Sequence, residues 1–178
     1  MEPPTNPVAV IRLLARDDLV KDFDCGEHKL NDYLKRYALA NQERNLVGVT
    51  YVAVDRSHSK VVTGYYTLAT GAIPRNSLPP GITEDLPRYQ NLPVALLARL
   101  AVDRRFKQTG LGKGLLRHAF ENVLGLSRQV GCRYLIVDAY PTAVDWYSKY
   151  GFIAIGGLPQ SGTHPMFLDL KTLRGATV

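Results

Sequence analysis

Along this chain apolar positions first alternate, then recur at helical spacing, then gather into continuous runs, and each change marks a new element. Val8 to Leu13 reads as a first strand. From Glu27 to about Glu43, residues Leu30, Tyr33, Leu34, Tyr37, Ala38 and Asn41 recur every three or four positions, which predicts one amphipathic helix with that stripe in the core. Gly48–Val54 and Lys60–Ile73 are β-rich runs around Asp55-Arg56-Ser57-His58-Ser59, whose turn-forming residues predict a hairpin. Adjacent strand residues point to opposite faces, so Tyr65 and Tyr66 should enter different layers. Residues 72–93 concentrate prolines with Gly81 and read as a long loop. A strand at Val94–Val102, a helix from about Leu111 to Leu126 and a strand at Arg133–Tyr140 then follow in β-α-β order. A short helix ending at Gly151, a strand around Phe152–Ile155, a loop over Gly156–Pro165 and a last strand at Met166–Leu170 complete the reading. No internal repeat or low-complexity segment occurs.

With 178 residues, 46% hydrophobic and 21% charged, the chain is expected to form one globular domain spanning residues 1–178. The net charge of +6 and a pI near 9.4 favour anionic partners, from a small phosphate to a nucleic acid. Lys29, Lys35, Arg36 and Arg44 lie off the apolar stripe of the first helix, and both a solvated face and a nucleic-acid footprint fit them. Cys25 and Cys132 are far apart, match no metal-ligand or disulfide framework, and are read as reduced thiols. The N-terminus carries acid and proline where a signal peptide needs positive charge, and no apolar run reaches the roughly eighteen residues of a membrane span; the expected location is the cytoplasm. His28, His58, His118 and His164 sit in unrelated segments without a triad pattern, so none is assigned to catalysis.

The chemistry concentrates between Leu96 and Leu116, where a strand-like run meets a basic turn, a glycine-spaced loop and renewed helical spacing. A helix N-terminus offers unpaired N–H groups and partial positive charge, and glycines there let a pyrophosphate approach the backbone. A Walker A loop fits poorly because Gly112-Lys113 is followed by Gly114 and not by a hydroxyl. A dinucleotide fingerprint also fits poorly because the third glycine of Gly110-Leu111-Gly112-Lys113-Gly114 comes one residue early.

The segment Lys107-Gln108-Thr109-Gly110-Leu111-Gly112 resembles the acyl-CoA loop [RQ]-x-x-G-x-[GA] of the GNAT N-acetyltransferase superfamily, with Lys107 where the family has Gln or Arg. Downstream, Ala143-Val144-Asp145-Trp146-Tyr147-Ser148-Lys149-Tyr150-Gly151-Phe152 resembles the family's A-x-x-[FW]-Y-x-x-x-G-F. Phe23-Asp24-Cys25-Gly26, Leu30-Asn31-Asp32-Tyr33-Leu34, Thr50-Tyr51-Val52 and Gly64-Tyr65-Tyr66-Thr67-Leu68 narrow the resemblance to the acetyltransferase toxins of type II toxin-antitoxin modules.

That resemblance implies an α+β GNAT fold: a mixed, mostly antiparallel twisted sheet, splayed in the middle and flanked by helices. It implies acetyl-CoA as acyl donor with no metal, held by Leu100, Ala101, Val102, Arg105, Lys107, Gln108, Thr109, Gly110, Leu111, Gly112 and Lys113. Tyr147 would be the general acid toward the departing thiolate. The acceptor would be the α-amine of an aminoacyl-tRNA, with Lys35, Arg36, Arg44 and Arg104 as candidate tRNA contacts. A ribbon-helix-helix antitoxin and a homodimer are the implied partners, with no membrane. One departure stands out: Asp138-Ala139-Tyr140-Pro141-Thr142 carries Pro141 near where many relatives have an asparagine that bonds the cofactor arm, and proline has no N–H to donate. Two other functions remain open on the residues alone. One is a housekeeping GNAT acting on a small amine, peptide or antibiotic. The other is a binding module without turnover.

Overall fold

The computed structural model describes residues 9–55, 60–156 and 162–175. Its strands are β1 (Val10–Leu13), β2 (Val49–Val54), β3 (Val62–Pro74), β4 (Asn91–Val102), β5 (Tyr134–Ala139), β6 (Ile153–Ala154) and β7 (His164–Asp169), in the sheet order β1-β2-β3-β4-β5-β7-β6. The helices are α1 (His28–Asp32), α2 (Ala38–Ala40), α3 (Leu111–Gln129), α4 (Val144–Ser148) and α5 (Leu170–Gly175). β1 pairs antiparallel with β2 and β2 with β3, while β5 pairs parallel with β4 and antiparallel with β7. This is the mixed α+β sheet implied by the resemblance. No described helix is long and apolar enough to cross a membrane.

The chain divides into two compact units, residues 1–69 with 99–119, and residues 70–98 with 120–178. In the first, β3 is covered on both faces, which is why Tyr65 and Tyr66 are both fully buried. Tyr65 turns toward Phe23 and Tyr33 and donates its hydroxyl to the Leu30 carbonyl at 2.8 Å. Tyr66 turns the other way, with its hydroxyl 2.7 Å from His118 Nδ1 on α3 and its ring stacked on Tyr51 at 5.0 Å. The two tyrosines therefore enter different layers, as the alternation requires, and His118 has a structural partner. Buried Thr50 and Thr67 share a hydroxyl hydrogen bond of 2.8 Å across β2 and β3. In the second unit, Leu78, Leu92, Val94, Tyr134, Ile136 and Phe167 form the core.

Four sequence expectations change. The single helix over 27–43 is broken: π turns at Tyr33–Tyr37 and Asn41–Asn45 alternate with α1 and α2, and Leu46 ends the run in the left-handed region at φ 54°. Each π turn takes up one extra residue, which rotates the residues after it about the helix axis. Tyr37 thereby leaves the stripe and is 52% exposed, while Ala38 is fully buried. The loop expected over 72–93 is shorter, because β3 continues to Pro74 and β4 begins at Asn91. Pro93 occupies an exposed β4 position, and Leu92 and Val94 on either side are buried, so the prolines did not prevent strand formation. Arg75 closes the remaining connection by donating to the carbonyls of Thr83, Leu86 and Pro87. Strand β7 starts at His164, earlier than expected. Helix α5 was not anticipated, although Asp169 is a recognisable N-terminal cap whose carboxylate accepts from the Lys171 amide at 2.9 Å. Val8, the Arg56–Ser59 part of the hairpin turn with His58, and residues 157–161 of the expected loop lie outside the described residues.

Gly64 positions the start of α3. A Cβ there would come within 2.9 Å of Leu115 Cδ1, 3.3 Å of Leu111 Cδ2 and 3.2 Å of the Ala101 carbonyl oxygen. Only the absence of a side chain lets the first turns of α3 rest on β3. Gly64→Ala should therefore lower stability by about 1–3 kcal/mol, the range for an overpacked core, read as a lower urea midpoint with an unchanged slope.

Candidate active site

The glycine-spaced loop lies between β4 and α3, as expected. After β4 the chain makes a 3-10 turn at Arg104–Phe106, then passes through exposed Lys107, Gln108, Thr109 and Gly110 into α3. Gln108 and Gly110 have φ of 63° and 84°, so the backbone twice enters the left-handed region within three residues. At Gly110 this is the conformation that favours glycine; at Gln108 a side chain is carried there at a cost. Thr109 Oγ1 donates to the Phe106 carbonyl at 2.7 Å and fixes the loop's crest. The Gly114 amide is the first of α3 to close on Gly110, at 3.0 Å. The amides of Leu111, Gly112 and Lys113 thus precede the helical ladder and lack an intrahelical acceptor, the backbone arrangement an anion requires. Lys107 and Lys113 are exposed beside them.

Arg105 is oriented differently from its expected partner. Its Nε and a terminal nitrogen donate to both oxygens of Asp103, at 2.8 and 2.9 Å, in a bidentate pair. Asp103 is 1% exposed and also accepts from the amides of Arg105 at 3.0 Å and Asp24 at 3.1 Å. Burial by itself would raise this carboxyl's pKa, but the hydrogen bonds from Arg105 and Asp24 outweigh it and hold it below the usual carboxylate range. Asp24 continues the network: its carboxylate accepts from Asn31 at 2.8 Å and from the Gly26 amide at 2.9 Å, and its carbonyl accepts from the Arg104 amide at 2.8 Å. The Asp24-Cys25-Gly26 turn is thereby tied to the base of the loop. Leu100, Ala101 and Val102 form the end of β4; its parallel ladder with β5 pairs Val94–Leu96 with Tyr134–Ile136, so Leu97–Val102 lie beyond it.

Tyr147 sits in α4 and is 6% exposed. Its ring packs edge-on against Trp146 at 4.9 Å and Phe152 at 5.3 Å, and Gly151, at φ 89°, turns the chain so that Phe152 can return to it. No hydrogen-bond partner for its hydroxyl is found among the described residues. Desolvation pushes the phenol well above its usual pKa, so it stays protonated throughout the physiological range. Pro141 opens the 3-10 turn before α4, a position that needs no N–H donor.

The candidate nucleic-acid contacts divide. Exposed Lys35, Arg36 and Arg44 line one cavity of about 350 Å³ with Arg16, and Arg36 is paired with Asp32 at 2.9 Å. Arg104 lies apart from them, over Gly26 and paired with Asp24 at 3.4 Å. Among the described residues no cluster of three or more His, Cys, Asp or Glu could hold a metal ion. Asp24, Asn31 and Asp103 carried no assigned role in the sequence, although an acid at the end of a strand before a basic turn is the signal that would have marked Asp103.

Residues 88–172 match the acetyltransferase (GNAT) domain. A tRNA-acetylating toxin of Mycobacterium tuberculosis (strain ATCC 25618 / H37Rv) is 36% identical over 142 residues, covering 79% of this chain and 82% of that protein. Among solved structures, AtaT complexed with acetyl-methionyl-tRNAfMet superposes with a TM-score of 0.85 at 31% identity, covering 96% of this chain and 99% of the other. A Tyr-to-Phe mutant of AtaT bound to the C-terminus of the antitoxin AtaR and acetyl-CoA gives 0.76 at 26% identity, covering 94% and 97%. The domain match and these relatives, over a mixed sheet whose β4 leads through a glycine-spaced loop into α3, define an N-acetyltransferase. The chain belongs to the GNAT acetyltransferase family.

Asp103→Asn removes the charge that Arg105 and the Asp24 amide hold and should cost at least about 2 kcal/mol near neutral pH. A depressed carboxyl pKa stabilises the fold above the unfolded-state value and loses that contribution as pH falls through the folded-state value. The difference between wild type and Asp103→Asn, followed by urea unfolding, should therefore shrink as pH drops below about 4.

Proposed function

We propose that this protein is a toxin of a type II toxin-antitoxin pair that uses acetyl-CoA to acetylate the α-amine of an aminoacyl-tRNA and so blocks translation. The observation that carries this reading is the exposed Lys107–Gly110 loop opening onto the uncommitted amides of Leu111, Gly112 and Lys113. That geometry suits the diphosphate of coenzyme A, with Lys107 and Lys113 supplying countercharge. Arg105 acts through Asp103 to hold the loop's base. The acceptor class rests on the tRNA-acetylating relative and on the tRNA-bound and antitoxin-bound neighbours.

Acetyl-CoA supplies an acetyl group activated as a thioester. An α-amine has a pKa near about 7.7–8, so a useful fraction of it is already neutral at physiological pH and no strong protein base is needed. The amine nitrogen forms the new C–N bond and gives its proton to solvent water, the C–S bond breaks, and the sulfur takes up the electron pair. A backbone N–H within Leu100–Val102 steadies the charge that develops on the carbonyl oxygen. Tyr147 donates its phenolic hydrogen toward the leaving sulfur. With ordinary pKa values of about 10 and 8.5, full proton transfer would be uphill by roughly 2 kcal/mol, and burial increases that cost. Tyr147 therefore acts first as a hydrogen-bond donor and releases its proton only as the thiolate forms.

The basic charge suits both the tRNA and an acidic segment of a ribbon-helix-helix antitoxin, and we take the toxin to be a cytoplasmic homodimer. The test is incubation of the purified protein with aminoacyl-tRNA and labelled acetyl-CoA, which should give labelled N-acetyl-aminoacyl-tRNA. Transfer to small amines but not to aminoacyl-tRNA would establish a housekeeping GNAT instead, and saturable binding without any transfer would leave a binding module. Tyr147→Phe should lower transfer by about 10²-fold or more while retaining acetyl-CoA binding, and should relieve growth arrest on expression. Because the phenol's pKa is raised, wild-type activity should show no loss from its ionisation up to about pH 10, read from the kcat/KM profile.

A further inference from the structure

Arg99 has an environment unlike that of the other paired arginines in its unit. It occupies β4 one residue before Leu100–Val102, with its Cζ 3.5 Å from the centroid of the Tyr33 ring. The ring is a fixed platform: Tyr33 is 5% exposed and stacks on Tyr65 at 6.4 Å and 21°, and Tyr65 is anchored through the Leu30 carbonyl. Contact at that distance engages the face of the guanidinium and leaves its N–H edges to bond elsewhere.

Among the described residues no carboxylate or carbonyl accepts from those edges. Several acids of the same unit are already engaged. Asp18 holds Arg12, Asp32 holds Arg36, Glu43 holds Arg16, and Asp103 holds Arg105. Asp24 is shared by Asn31 and Arg104. On the same face of β4, Leu97 and Ala101 are buried, so alternation would favour an apolar residue at 99. A partly buried cation without an acid is costly unless an anion reaches it from outside.

We propose that Arg99, stacked on Tyr33, binds a phosphodiester of the single-stranded acceptor end of the tRNA substrate, so that the aminoacyl group is presented beside the end of β4. The forked N–H edges suit two phosphate oxygens at once, which a lysine does not match. This inference rests on the aminoacyl-tRNA reading above.

Steady-state kinetics of Arg99→Met and Arg99→Lys with aminoacyl-tRNA test it. Arg99→Met should raise the KM for aminoacyl-tRNA at least about tenfold, the scale of one lost charge-assisted contact, and Arg99→Lys should recover part of that loss. Acetyl-CoA affinity, measured by calorimetry, should stay within about twofold in both, since the coenzyme uses other residues. An unchanged KM for aminoacyl-tRNA in an Arg99→Met protein that still binds acetyl-CoA overturns the proposal. Should Arg99→Met fail to fold, wild-type protein treated with phenylglyoxal and mapped by mass spectrometry decides the matter: aminoacyl-tRNA, but not acetyl-CoA, should protect Arg99, and no protection overturns the proposal. Wild-type protein that fails to acetylate aminoacyl-tRNA overturns the acceptor reading and this site with it. Wild-type transfer with an indifferent Arg99→Met overturns this site alone.

Discussion

The buried carboxylate of Asp103 holds together the part of the molecule on which the chemistry depends. It accepts two hydrogen bonds from the Arg105 side chain and one each from the amides of Arg105 and Asp24, all within 3.1 Å. A loop that stays exposed cannot be held by covering it. Here the constraint is applied from beneath, at the turn where β4 ends. Gly64 sets the other limit, because α3 can begin where it does only if β3 has no side chain at that point. Between the hydrogen-bonded base and the seated helix, the loop is fixed at both ends while Lys107–Gly110 remain exposed.

The same reasoning separates the arginines. A cation count assigns each basic residue near the loop to phosphate, and electrostatics alone cannot distinguish them. Geometry does. Arg105 has both carboxylate oxygens of Asp103 in a bidentate pair, so its contribution is to hold the loop's base; Lys107 and Lys113 are exposed beside the first amides of α3 and have no such pair. Burial likewise changes what Tyr147 can do. Desolvation makes its phenol a poorer acid but keeps the hydrogen in place, which suits a donor that acts only when negative charge appears beside it.

Much of this was legible in the chain. The β4-α3-β5 order, the opposite orientations of Tyr65 and Tyr66, and the position of the loop follow from spacing and glycines, while Tyr147 was marked by resemblance to a family motif. The features that were not legible depend on geometry with no periodic signature. The π turns keep helical spacing in sequence while moving Tyr37 out of the core, so the stripe reads correctly and its register does not. Prolines at 74 and 93 masked the extended arms of β3 and β4, because whether a proline breaks a strand depends on which side of it needs a donor. The hydrogen bond from the Asp24 amide to Asp103 joins segments far apart in the chain, and no local pattern announces it.

Strand alternation also explains how one short stretch of β4 can serve several tasks. Leu97, Arg99 and Ala101 share one face, and Ala101 belongs to the core cluster that contains Tyr33 and Tyr65. On β3, Gly64 and Tyr66 face α3, whereas Tyr65 faces the helical segments at 28–45. The layer that seats the start of α3 is therefore separated by the sheet from the layer on which Arg99 rests. Cations placed on the two sides are held apart by the thickness of the sheet, while the backbone of β4 is common to both. A strand so covered can present its own N–H groups at its free end and a guanidinium one residue earlier without crowding two anions into one pocket. That is the arrangement a two-substrate transfer needs, since each anionic substrate must be held close to the reacting atoms and away from the other's charge.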